Sequence, residues 1–356
     1  MSDDRWRTRL RWVVVHPDRP QVLLARRDGA LDLPEVERPG QLWTADPTEV
    51  LPALRELLGA DALLLDCLDQ HEDPAARVQR ATLLAVPREA PALPQGMAWV
   101  GRDGLAGGQT EDAAVAARVV EALERGPGRD GGQPWAARGW FGEAERWLRA
   151  TMERLGRPVT GTVRQARVWR LSCVLRAPTG GGEVWFKANT TSPLFVNEGV
   201  VMGALAGLFP GQVPAPLAVE PERGWMVLAD FGEEVGWEAP LEVVQRGQGP
   251  GGYLFFDWTD ACVAHPFLDL ATIRRGTAFT DAVCEDELRE RLREAYLPEW
   301  ASFEPPGRLA RAWELAAPLG ALHQAVSYRS LATQAPMDPH MAQSTAFWLR
   351  RVLALA

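Results

Sequence analysis

Apolar residues recur along this chain with two periods, and the switches between them mark out its elements. Near the N-terminus "LRWVVVHP" and "QVLLARR" are apolar runs of strand length, joined through the turn residues of "HPDRP", and read as two strands of a hairpin. "DPTEVLPALRELLG" switches to helical spacing. Asp46 opens it with Pro47 at the first position, which predicts a short helix. "DALLLDCL", "RVQRATLLAVP" and "GMAWV" return to strand length, and "TEDAAVAARVVEALERG" is an amphipathic helix opened by Thr110 and ended by Gly126. Residues 1–126 thus read as one small α/β domain. Residues 127–138 carry neither period, are rich in Gly, and read as a linker.

Beyond it, "WFGEAERWLRATMERLG" places Trp140, Ala144, Trp147 and Leu148 on one helical face. Val163 to Arg176 is rich in strand formers, "TGGG" suits a hairpin turn, and "EVWFKA" follows as a third strand. "LFVNEGVVMGALAGLFPG" reads as a helix ending near Gly207 to Pro210. "VPAPLAVEPERGWMVLADFG" reads as strand, turn at "PERG", and strand. After Asp269 the pattern is helical, in "CEDELRERLREAYLPEW", "RLARAWELAAPLGALHQAVSYRSL" and "HMAQSTAFWLRRVLAL". His323 falls in the apolar stripe Leu315, Leu319, Leu322 and Val326, which assigns it to a core. His265, before Pro266, reads as structural.

Composition narrows the function classes. At 356 residues the chain is long for one core, so more than one domain is expected. A net charge of −9 implies no general affinity for nucleic acid or anionic membranes. The apolar runs are too short to span a bilayer, and the N-terminus lacks the apolar core of a secretory signal. Cysteines 67, 173, 262 and 284 form no CxxC pair, and a reducing cytoplasm fits them best.

One residue stands apart from this background. Of the 38 basic residues, Lys187 alone is lysine. Lysine is a compact point charge on a thin stem, whereas arginine is a broad planar fork, so a narrow slot for one ammonium accepts only the former. Eleven residues on, Glu198 lies on the next helix. A strand lysine fixed by a helix carboxylate is what a nucleotide phosphate site needs. Val184, Trp185 and Phe186 lead into the lysine and predict a largely buried strand, where an unpaired lysine is rare. Further along, "YLFFDW" delivers Asp257 to the end of an apolar strand, a place suited to a metal ligand.

Two resemblances attach to these residues. The order of elements over residues 1–126, with its "LLARR…LP" opening and "GMAWV" strand, resembles a Nudix domain. The Nudix hydrolase box, REUxEExGU, needs a Glu pair on a helix face to hold Mg²⁺. The corresponding helix offers Arg55, Glu56, Leu57 and then "LGA". Without the Glu doublet, a structural or binding role is expected in place of metal-dependent hydrolysis.

From Trp140 to the C-terminus the motifs resemble, in order, the aminoglycoside phosphotransferase and choline kinase group of the protein-kinase-like fold. Its strand-three Lys and following-helix Glu match Lys187 and Glu198. The "VPAPLA…GWMVLADFG" stretch matches the hinge strands that hold adenine through backbone groups, hence Leu228 and Ala229. "FFDW…HPFLDLA" matches the Mg²⁺-binding Asp and a later structural Asp, hence Asp257 and Asp269. "DFG" at Asp230 to Gly232 spells a protein-kinase metal motif but stands at the hinge, so Asp257 is the better metal ligand. The resemblance implies an α+β bilobal fold, with an antiparallel-sheet N-lobe over 139–232 and a helical C-lobe over 233–356. It further implies ATP and Mg²⁺ as cofactors and γ-phosphate transfer to a hydroxyl of a small-molecule acceptor.

The family places a catalytic loop, H-x-D-x-x-x-x-N, between hinge and metal Asp. Residues 231–256 contain no His, Asp or Asn, and their only carboxylates are Glu233, Glu234, Glu238 and Glu242. The intact flanks make an internal deletion the simplest account. The chain therefore reads as a phosphotransferase type that keeps the nucleotide half and lacks the transfer half. The alternative is a non-catalytic nucleotide-binding pseudokinase or scaffold.

Overall fold

The computed structural model describes residues 6–27, 30–105, 110–125, 133–169, 171–190, 197–232, 264–269, 285–334 and 339–355. Asp257, Cys262, Cys284, the carboxylates from Glu233 to Glu242 and the first half of the expected linker lie outside the described residues. The fold is mixed α+β, and the chain divides into two compact units. Described residues up to 232 belong to the first and those from 264 to the second.

The first unit opens with β1 (Arg7–Val14), β2 (Val22–Arg27), β3 (Ala30–Asp32), β4 (Glu35–Pro39) and α1 (Pro47–Leu58). Then come β5 (Ala62–Asp73), β6 (Val78–Pro87), β7 (Met97–Val100), α2 (Arg102–Leu105) and α3 (Glu111–Arg125). Four strands form a sheet in the order β4-β1-β6-β5, in which β1 and β6 run parallel, and three form another in the order β3-β2-β7. The expected caps form: the Asp46 side chain accepts from the Thr48 N–H at 2.7 Å, and Thr110 Oγ1 accepts from the Ala113 N–H at 3.1 Å.

The hairpin expected of the first two strands does not form. β1 and β2 lie in different sheets, linked by a single bridge between Val15 and Val22. β6 runs along the whole of β1, and β4 covers the other edge over Arg7–Arg11, so only the end of β1 meets β2. The "HPDRP" corner folds around His16, whose Nδ1 accepts from the N–H groups of Asp18 at 3.0 Å and Arg19 at 3.2 Å. The Arg19 guanidinium lies 2.7 Å from Nε2, and Trp99 stacks edge-on against the ring.

After a short 3₁₀ turn (Pro134–Ala136) the same unit continues with α4 (Trp140–Arg154), β8 (Arg164–Val168), β9 (Ser172–Thr179) and β10 (Gly182–Asn189). It closes with α5 (Glu198–Leu208), β11 (Ala218–Glu220) and β12 (Trp225–Ala229). These five strands form an antiparallel sheet in the order β11-β12-β10-β9-β8, so β10, carrying Lys187, is central. Trp140, Ala144 and Leu148 of α4 are buried, as their shared face predicts; Trp147 packs edge-on against Phe186 and Trp225, and Trp140 packs edge-on against Trp225 and tilted against Phe186.

One hydrophobic core runs from Leu10 to Val227 through both halves of this unit. The join is polar as well as apolar. The Gln165 amide on β8 accepts from the Leu64 N–H at 2.9 Å and donates to the Leu64 carbonyl at 2.7 Å, with all four groups buried. Leu64 stands where β5 shifts register against β6, so its backbone groups need another partner there. Val168 adds an N–H bond to the Ala45 carbonyl at 2.8 Å, and the guanidinium of Arg167 lies over the Trp43 ring. Edge strand β8 is thereby covered.

The second unit contains a 3₁₀ turn (Pro266–Asp269), α6 (Glu285–Tyr296), α7 (Pro306–Gln334) and α8 (Pro339–Leu355). Phe267, Leu309, Trp313 and Ala316 form one buried cluster, and Ala321, Ala325 and Trp348 another. The stripe Leu315, Leu319, Leu322 and Val326, expected to be core, is exposed, and His323 within it is half-buried. The buried apolar side chains of α7 are instead Leu309, Trp313, Ala316, Ala317, Ala321 and Ala325, and Ala321 and Ala325 leave space for the bulk of Trp348. Among the described residues no helix is long and apolar enough to cross a membrane.

Two outcomes follow from this packing. Gln165→Leu keeps the side-chain volume but strands two buried backbone groups, so the free energy of unfolding in urea should fall by about 2–4 kcal/mol. His16 has its pKa lowered, by burial first and then by the Arg19 charge. The unfolded ring takes up a proton at higher pH than the folded one. Its contribution to stability is therefore present above the ordinary histidine value and lost as pH falls through the folded value. The urea midpoint should drop between pH 7 and pH 5 in the wild type, and less in His16→Asn.

Candidate functional site

β10 alternates in the manner of a strand between two layers. Val184, Phe186 and Ala188 enter the large core, while Lys187 and Asn189 share the opposite parity. Trp185 belongs to that second side too. It packs with Met202 and Leu205 of α5, with Met226 and Leu228 of β12, and with Val213. α5 lies over this side of the sheet and begins at Glu198. Its close approach rests on Gly199, where an added Cβ would stand 2.9 Å from Val219 Cγ1 and 3.1 Å from Met226 Cβ.

This approach brings the two sequence-predicted residues together. Lys187 Nζ lies 2.7 Å from Glu198 Oε2, with 15% of the lysine side chain and 1% of the glutamate side chain exposed. The Asn189 Nδ2 donates to the same oxygen at 3.0 Å. Glu198 Oε2 therefore receives an ammonium and an amide from positions two apart on one strand. Asn189 is held in turn by its own backbone, whose N–H donates to the Gly224 carbonyl at 3.0 Å. Gly224, at φ +64, turns "PERG" into β12 beneath it.

Leu228 and Ala229, the residues that the sequence resemblance assigns to a hinge, lie at the far end of the neighbouring strand. Leu228 is buried and Ala229 half-buried, and they pair with Trp185 and Val184 of β10. The ladder with β11 stops at Val227, so among the described residues Leu228 and Ala229 have a strand partner on one edge only. The Asp230 N–H donates to the Glu183 carbonyl at 3.3 Å, and the Asp230 carboxylate accepts from the Gly232 N–H, which makes "DFG" a turn after β12.

Asp257, the expected metal ligand, lies outside the described residues, and Asp269 ends the 3₁₀ turn of the second unit. His265 caps that turn, its Nδ1 accepting from the Phe267 N–H at 3.3 Å, as a structural histidine would. Among the described residues no group of three or more His, Cys, Asp or Glu could hold a metal ion. In the N-terminal half Glu56 is exposed and pairs with Arg38, while Arg55 pairs with Asp61. Cys173 is buried, and burial pushes its thiol pKa far up, so it acts as packing.

Asn189 is the site residue that the sequence analysis did not single out for a role. Two signals for it were present: its spacing from Lys187 puts it on the same face of a strand, and it is one of two asparagines in the chain. The other, Asn197, precedes α5 and donates to the Pro221 carbonyl at 2.6 Å, tying the start of that helix to the turn before β12.

Chemically, the arrangement fixes one partly accessible ammonium above the centre of a sheet. Removing the lysine would take an ammonium partner at 2.7 Å from the buried Glu198 carboxylate. Lys187→Met should lower the free energy of unfolding by about 3–5 kcal/mol, and the double variant Lys187→Met/Glu198→Leu should recover most of that loss. Urea denaturation followed by tryptophan fluorescence checks both values.

No protein-family model matches the sequence, and no curated protein matches it. About a third of the chain is similar to solved Nudix structures. A NUDIX-family hydrolase from Clostridium perfringens matches at 14% identity and TM-score 0.25, over 33% of this chain and 98% of its own. A NUDIX hydrolase from Nitrosomonas europaea matches at 12% identity and TM-score 0.27, over 34% of this chain and 74% of its own. A Sinorhizobium meliloti structure matches at 19% identity and TM-score 0.25, over 33% of this chain; this chain spans only 38% of its length. No part of the functional reading rests on these likenesses.

Proposed function

We propose that this protein binds Mg·ATP on the face of its antiparallel sheet that carries Lys187, as an aminoglycoside-phosphotransferase type of chain that does not transfer phosphate. The observation that carries the reading is the single lysine of the chain, held at 2.7 Å by a buried carboxylate and still 15% exposed. A point charge pinned in this way suits the α and β phosphate oxygens of a nucleotide. Leu228 and Ala229, paired on one edge only among the described residues, offer backbone groups to an adenine.

On this reading Lys187 is the group offered to the phosphates, and the backbone of Leu228 and Ala229 the one offered to the base. Mg²⁺, when bound, neutralises phosphate charge, and Asp257 is the residue assigned to it by motif. The sequence between hinge and Asp257 carries no His, Asp or Asn, so it supplies neither the base nor the metal Asn of a catalytic loop. Those groups act on the transfer step, where positioning and electrostatics provide nearly all the catalysis. Binding requires neither of them.

Titration calorimetry and thermal melting with Mg·ATP test this reading. Saturation at a hundred times the dissociation constant stabilises the native state by about 2.7 kcal/mol, which is a shift of several degrees. Lys187→Arg should weaken binding nearly as much as Lys187→Ala, because the planar fork does not fit a slot built for an ammonium. Absence of binding to the wild type sinks the nucleotide assignment. Phosphorylation of a small alcohol or amino sugar sinks the claim that transfer is lost.

A further inference from the structure

We propose that Asn189 is a positioning residue, one that fixes the Glu198 carboxylate so that Lys187 presents its ammonium in a single place. The effect on ligand rests on the nucleotide reading of the site. The effect on Lys187 itself does not.

The Asn189 amide is only half satisfied. Asn189 is 2% exposed, and its Nδ2 donates to Glu198 Oε2, while its Oδ1 is buried without a hydrogen-bond partner among the described residues. Rotating the amide by a half turn would not help, because it would set Oδ1 against a carboxylate oxygen, acceptor against acceptor. The orientation is therefore fixed by Glu198. A buried acceptor left unpaired destabilises the fold, and an apolar residue on this strand would avoid that cost. The sheet itself does not call for an amide here. Asn189 joins the ladder through its backbone, in register with Ser172, and donates its N–H to Gly224, as any non-proline residue could. What the amide adds is confined to Glu198.

The geometry gives that addition a consequence for the lysine. The ammonium at 2.7 Å fixes one distance to Oε2, and the amide donor, from a strand position two residues away, fixes a second on the same oxygen. Lys187 and Asn189 stand on one rigid strand, so Oε2 is held between two points fixed relative to each other. The ammonium then inherits the rigidity of the sheet rather than that of two flexible side chains.

The chain supplies its own probe, because Lys187 is its only lysine. Acylation by acetic anhydride, with peptide mass mapping to set aside the N-terminal amine, reads the accessibility and mobility of that one ammonium in the intact protein. In Asn189→Leu, Lys187 should acylate severalfold faster than in the wild type, and Mg·ATP affinity should fall roughly tenfold, the worth of one hydrogen bond to a charged group. Gln165→Leu, which weakens the same unit at a distant join, should leave the acylation rate unchanged, and this separates positioning from general loosening. Should Asn189→Leu not fold, Asn189→Ala removes the donor without adding bulk or charge and should likewise speed acylation of Lys187 and lower Mg·ATP affinity. A wild-type acylation rate in folded Asn189→Leu overturns the proposal, as does equal acceleration in Gln165→Leu. If the wild type fails to bind Mg·ATP, the nucleotide reading falls while the acylation comparison still decides the role of Asn189.

Discussion

A carboxylate with 1% of its side chain exposed sets the terms for the centre of this molecule. Taking Glu198 out of water is costly unless opposite charge and hydrogen-bond donors meet it, and the sheet supplies one of each in Lys187 and Asn189. That requirement explains several neighbouring features at once. The lysine is on the central strand, where its backbone is held on both edges. An asparagine follows at the next position on the same face. A glycine follows the glutamate, because a side chain there would collide with Val219 and lift the helix away from its partners.

The same sheet depends on a second buried polar contact at its edge. Strand β8 has no further strand beyond it, and Gln165 instead reaches across to Leu64 with both ends of its amide. The side chain takes the place of a backbone rung at the point where β5 slips register. Because the hydrophobic core is also continuous across this join, the N-terminal strands and helices support the sheet that holds Lys187. An α/β domain without the carboxylate doublet of its resembled family can still have a definite physical role here: it closes an edge.

The second unit shows a different balance. Its helices bury small residues and tryptophan against one another, and the bulky stripe of α7 faces outward. Where a helix has alanines on one side and leucines on another, hydrophobicity alone does not choose the buried face. Close approach to a partner does, and Trp348 needs the room that alanines leave.

What the sequence by itself determined was local. Asp46, Thr110 and the "PERG" turn act within a few residues of themselves, and each formed as read, as did the helical faces of α4 and the pairing of Lys187 with Glu198 eleven residues apart. The placing of β1 and β2 in separate sheets, the outward turn of the α7 stripe, the bond from Gln165 to Leu64 and the entry of Asn189 into the site were decided by tertiary structure. The reason is physical. A cap or a period is satisfied by neighbours in the chain, whereas a strand edge, a helix face or a buried amide takes whichever partner the fold brings near. For Gln165 and Leu64 that partner lies 101 residues away.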